Sequence, residues 1–280
     1  MKNFLFLLAL TVFMTPGAVD AARLKASPKV VIDFAPKKVV LDADPGKRIL
    51  VKLKAINKTK HDVQAAVILK EFHFDENGKF NHDKINKGEK GPYSLIPYVK
   101  LLNPKFPLKS GEIKETIIEV NLPKDFKGSR GLLMSVQTDP EWAQKQRKKR
   151  KTSGVSFTVA YTGPLIINSK KTSKINLLAK NKVDYKKGQL RVSSFIHLKG
   201  NSFLSQLEGK YVLLDKNNKK VLRGNLSNSS KQPRMYPENK RKFLGGSSVN
   251  LKKGEYKLVI SYFGREYGFS KTYTEPLKVK

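Results

Sequence analysis

Four histidines, His61, His73, His82 and His197, are the first side chains that could do chemistry in this sequence. None stands in a spacing such as His-Glu-x-x-His, which would put two ligands one helical turn apart on one metal. Carboxylates flank two of them, in "HFDEN" and "HDKINKGEK", but turns between strands are commonly built from such polar clusters, and solvated turns are expected there. The sequence holds neither a Gly-x-Ser-x-Gly elbow nor a Gly-rich phosphate cradle leading into a helix. Having no cysteine, it can form no thiolate nucleophile, thiolate metal site or disulfide. The expectation is a protein that is not an enzyme and needs no metal or cofactor.

Two other patterns point to binding. Residues 145–151, "KQRKKRK", carry six cations, Lys145, Arg147, Lys148, Lys149, Arg150 and Lys151, and read as a solvated basic loop able to guide an anionic partner. Directly after it, "VSFTVAY" sets Val155, Phe157, Val159 and Tyr161 on one side and Ser156, Thr158 and Ala160 on the other, the period of a β-strand. Such a row fills either its own core or a partner's groove. Trp142, the only tryptophan, follows "TDPE" and is expected to anchor the loop base on the core.

The formal charge is +33, which favours anionic surfaces and opposes self-association. Nucleic acid is the first partner such a balance suggests. The N-terminus argues against it: one lysine, the apolar run "FLFLLALTVFM" and then Val19 and Ala21 at the −3 and −1 positions read as an export signal over residues 1–21. That apolar run is about half the ~20 residues a membrane span requires. The expectation is an exported, periplasmic protein that does not span the membrane and binds no nucleic acid. Anionic envelope polymers or an acidic protein are then the better partners for its charge.

The elements that must position these residues are strands. "KRILVKLKAINK" puts Ile49, Val51, Leu53 and Ala55 on one face and Arg48, Lys52 and Lys54 on the other. "DVQAAVILKEFHF", "ETIIEVNLP", "GLLMSVQT" and "GVSFTVAYTG" supply further strands, with a turn at Asn77 and Gly78. After the polar link "NSKKTSK" the style repeats in "QLRVSSFIHL", in "GKYVLLDKNNKKVLRGN" with its turn at Asn217 and Asn218, and in "GEYKLVISYF", where Tyr256, Leu258, Ile260 and Tyr262 share a face. The segment from Pro237 through Gly245 and Gly246 reads as a blunted edge. The expected fold is all-β, two immunoglobulin-like β-sandwich domains over residues 22–168 and 169–280.

Three stretches of the first block carry a family resemblance: "FAPKKVVLDADPGKRILVKLKAINKTKHDVQAAV", "LLNPKFPLKSGEIKETIIEVNLPKDFKGSRGLLMSVQT" and "GVSFTVAYTGPLII". In order and turn residues they resemble the N-terminal domain of the periplasmic chaperones of the chaperone-usher pathway of pilus assembly. The resemblance implies binding of a pilus subunit or other surface protein by β-strand addition, with Val155, Phe157 and Val159 as donors. It also implies cations that grip the client's terminal carboxylate. Lys38 can take the first of these positions; the second falls near Val159, where this sequence has no cation, and "GSRGLL" at residues 128–133 replaces a further family signature. The alternative expectation is a structural or adhesive envelope protein whose basic surface binds anionic polymers.

Overall fold

A computed structural model describes residues 32–75, 77, 79–150, 160–229 and 234–280. The expected export signal, the donors Val155, Phe157 and Val159, and Lys151 lie outside the described residues. The first block forms β1 (Ile32–Ala35), β2 (Val39–Asp42), β3 (Arg48–Asn57), β4 (Val63–Lys70), β5 (Val99–Leu101), β6 (Lys105–Leu108), β7 (Ile113–Asn121), β8 (Ser129–Thr138) and β9 (Gly163–Asn168), with helices α1 (His82–Lys87) and α2 (Pro140–Arg150). Its two sheets, β1-β3-β7-β5 and β2-β9-β8-β4-β6, face each other as a sandwich. The alternation in β3 buries Val51, Leu53 and Ala55 in a core shared with Ile118, Leu132, Met134, Leu165 and Ile167. Lys52 and Lys54 stay in water.

The second block forms β10 (Ile175–Lys186), β11 (Gln189–Gly200), β12 (Leu207–Asp215), β13 (Lys220–Asn228), β14 (Lys240–Ser248), β15 (Gly254–Gly264) and β16 (Ser270–Val279). They make one sheet of order β10-β11-β14-β13-β12-β15-β16. Because β13 meets β14 through only two residue pairs, Ser227 with Leu244 and Asn228 with Phe243, the sheet turns back there and becomes two layers. Tyr211, Leu258, Ile260 and Tyr262 fill the space between them, as the alternation of β15 predicts. At the far side the Tyr273 hydroxyl donates to the Leu177 carbonyl and the Asn181 amide to Glu275, fastening β16 to β10. The β12–β13 turn is made by Asp215, whose carboxylate accepts from the Asn217 and Lys219 amides, with Asn218 at φ +59.

The two sandwiches meet through a third cluster, in which Phe72, Ile85, Leu133 and Ile166 from the first block pack on Phe203 and Tyr236 from the second. Its centre is aromatic: Phe74 stacks on Tyr236 with ring centroids 3.5 Å apart, and Phe72 and Phe203 meet Tyr236 edge-on. Strand β8 therefore has both faces covered, Leu132 and Met134 inward and Leu133 toward the junction, which explains the unbroken apolar run "GLLM".

Four expectations are corrected. Residues 145–150, read as a loop, belong to α2, started by Asp139, which accepts from the Glu141 amide at 3.2 Å, and by Pro140 in the first turn. The strand that closes the first block is β9, at the "GPLII" end of the quoted stretch; Ala160, Tyr161 and Thr162, read as strand, are not, and residues 154–159 lie outside the described residues. The segment read as an edge is β14, an interior strand between β11 and β13, where a Cβ on Gly245 would come within 2.7 Å of Leu226, so glycine there admits close packing instead of ending the sheet. His73 is buried, its ring nitrogen against the Glu89 carbonyl, and His82 opens α1, so neither sits in a solvated turn. Trp142 packs against the first core as expected.

Candidate functional site

The site builds up from the backbone crossing at the start of the fold. β1 pairs antiparallel with β3, and after a cis Ala35–Pro36 bond the chain passes to the opposite sheet, where β2 pairs parallel with β9, Val39 opposite Leu165 and Asp42 opposite Asn168. The crossing is tight: a Cβ on Gly163 would lie 1.7 Å from the Lys37 carbonyl oxygen, so only glycine lets β9 begin there.

β9 covers β8 over six residue pairs, from Asn168 opposite Ser129 to Gly163 opposite Met134. β8 continues past that point. Residues 135–138 remain paired with β4, Ile68 opposite Ser135 and Ala65 opposite Thr138, but on the β9 side they have no strand partner among the described residues. Among the described residues, β4 is thus the strand that borders this stretch of β8.

Charge collects at the mouth of the crossing. Lys37 forms a short hydrogen bond to Asp33, and Lys58 reaches the other oxygen of the same carboxylate at 2.7 Å. These two lysine contacts, with the Phe34 amide, hold the Asp33 carboxyl down at about 2. Lys37 also lies 4.0 Å over the Tyr161 ring, and Tyr161 is half exposed where the chain enters β9. Lys38, expected as a carboxylate anchor, is exposed one residue before β2.

The structure brings Lys38 and Tyr161 to one end of the β2–β9 pair and puts Lys145 and Lys148, exposed, on α2. It does not describe Val155, Phe157 or Val159, nor the side chains of Arg147, Lys149 and Arg150. Asp33, Lys37 and Lys58 were not foreseen. The spacing of Asp33 and Lys37 was visible, but Lys58 comes to Asp33 only through the pairing of β1 with β3, a contact no local pattern encodes.

No family model matches the sequence, and no curated protein matches it either. Among solved structures the chain is similar to the class 5 fimbriae chaperone CfaA, at 14% identity and a TM-score of 0.48, over 89% of this chain and 99% of that one. It is similar to a chaperone–tip adhesin complex of CFA/I fimbriae biogenesis at 13% identity and a TM-score of 0.47, over 88% and 97% of the two chains. It is also similar to the Escherichia coli chaperone DraB at 12% identity and a TM-score of 0.37, over 88% and 96%.

Proposed function

We propose that this chain is an exported, periplasmic, non-enzymatic chaperone that binds an extended segment of a pilus or surface protein by adding a strand at the β8–β9 edge. The observation that carries the reading is the short overlap of β9 on β8. It leaves residues 135–138 without a strand partner on that side among the described residues, next to a sequence whose alternation supplies donors. In strand addition the main chain gives affinity and alternate side chains give specificity, so Val155, Phe157 and Val159 are the proposed donors. Lys38 is the proposed contact for a client carboxylate, at the end of the edge where Asp33 is already matched by Lys37 and Lys58. Lys145 and Lys148 belong to a basic helix that steers the encounter and adds little to the bound complex. The boundary between the two units is proposed at residues 168 and 169, ahead of the short turn Lys170–Thr172. Beyond the net charge, no observation favours the anionic-polymer alternative.

The test is recovery of a client from periplasmic extract. Wild type should retain a β-rich partner at about 1 M salt, where attraction between exposed charges is screened. Phe157→Asp should lose it while keeping its thermal transition, and Lys145→Gln with Lys148→Gln should slow capture without abolishing it. Retention by a folded Phe157→Asp protein would overturn the strand-donor role.

A further inference from the structure

The outer face of β10, β11 and β14 carries a second site, unrelated to the β8–β9 edge. Register sets its chemistry. Across the three strands Lys180, Phe195 and Lys242 form one row, and Leu178, His197 and Lys240 form the next. Phe195 and Leu178 are 56% and 48% exposed, although they stand on the face of a sheet where a polar residue would cost nothing. Lys242 lies 5.4 Å from the Phe195 ring centroid. A pocket of about 750 Å³ opens over this floor, and its far wall comes from the first sandwich, where Lys79 is held by the Asp75 turn.

Two further observations fix the sign of the ligand. No carboxylate lines the pocket among the described residues, while cations from both sandwiches do. At its back Arg241 is 4% exposed, and its guanidinium donates to the Lys240 and Arg234 carbonyls at 3.3 Å, leaving the buried Nε without a partner among the described residues. The nearest carboxylates stand outside the lining, Asp75 acting on Arg241 and Glu238 bonded to His197 at 3.0 Å, so the lining itself, with Lys79, Lys180, Lys240 and Lys242, is positive.

An apolar floor would serve a neutral lipid, and a cluster of cations would serve a small inorganic anion. Only a molecule with both parts uses the whole site, and the volume is that of a pocket for one small ligand. We infer that this pocket binds an anionic amphiphile, an acyl chain carrying a phosphate, with the chain on Phe195 and Leu178 and the phosphate among Lys79, Lys180 and Lys242.

Isothermal titration of the full chain with dodecyl phosphate, kept below its micelle concentration, tests this. One molecule should bind per chain. Phe195→Ser should weaken binding by about tenfold or more, the loss expected when most of an aromatic contact goes. Lys180→Gln with Lys242→Gln should weaken it by about fivefold or more, whereas Lys252→Gln with Lys253→Gln, far along the chain, should leave it unchanged. Dodecyl maltoside and inorganic phosphate should each bind about tenfold more weakly than dodecyl phosphate. Equal binding of either one, many weak sites, or indifference to Phe195→Ser in a protein with unchanged melting would overturn the assignment.

Discussion

Asp33 is the residue on which the first crossing turns. It receives Lys37 from the link after β1 and Lys58 from just past the end of β3, so one carboxylate ties the entering strand to its neighbour β3 and to the link that leaves for β2. Its pKa is lowered from 3.8 to about 2, chiefly by hydrogen bonds from those two lysines. A depressed acid contributes stability above its unfolded pKa and loses it as pH falls through the folded value. The contribution of Asp33 is therefore present above about pH 4 and disappears toward pH 2. Solvent screens the cluster, which leaves on the order of 1 kcal/mol. Glu119, bonded by Arg48 and Asn121 at 2.9 Å, is also lowered to about 2 and titrates in the same window, so removing Asp33 takes away only part of the acid sensitivity. Asp33→Asn should melt lower than wild type at pH 6, with the gap closing as pH is brought to 2.5. Melting curves across that range check it, and a gap that stays constant would show that the ion cluster does not carry the effect.

Helix α2 shows what a local pattern can say and what it cannot. "DPEWAQKQRKKR" holds an aspartate cap, a proline in the first turn, an early glutamate and a run of strong helix formers with cations toward the end, which suits the helix dipole. Those signals were legible, but a segment without an apolar stripe reads as a loop when periodicity alone is weighed. Trp142 and the bridges from Lys105 to Asp139 at 3.2 Å and Glu141 at 2.8 Å anchor its first turn to the sandwich. Asp139→Ala should cost about 1 kcal/mol, the usual loss for an N-cap, and Asp139→Asn should recover most of it, since the cap needs a side-chain oxygen more than a charge. Denaturant titration of both variants decides this, and equal loss in the two would assign the effect to the Lys105 bridge instead. The strands of β3, β11 and β15 were readable because one wet face forces strict alternation. The place of β14 was not, because Gly245 and Gly246 signal a break unless one knows that Leu226 and Tyr211 press against Gly245 and the Leu190 carbonyl against Gly246. The edge at β8 depends on where β9 begins, and that is set by the close approach of Gly163 to Lys37, a meeting of residues far apart in sequence.

The two sandwiches are joined by more than a linker, and the join governs how the whole molecule unfolds. The Asn239 amide donates to the Asp75 carbonyl across the junction, the Ser129 amide donates to the Asn201 carbonyl, and Tyr236 lies among Phe72, Phe74 and Phe203. Burial pushes the Tyr236 phenol up, so the ring stays neutral in the junction at physiological pH. Each aromatic contact contributes roughly 0.5–1.5 kcal/mol beyond its buried area, and among the described residues Tyr236 makes two across the junction, with Phe72 and Phe74, between blocks that each have their own core. Such coupling makes two units of comparable stability unfold together, and a charge of +33 works against it by repulsion across the boundary. Tyr236→Ala should therefore uncouple them: the single calorimetric transition expected of wild type should separate into two, and added salt should draw the two back together by screening the repulsion. Tyr236→Phe, which keeps the ring, should retain one transition close to the wild-type temperature. A Tyr236→Ala protein that still melts in one step, merely at a lower temperature, would place the coupling in the backbone bonds at Ser129 and Asn201 and not in the aromatic contacts.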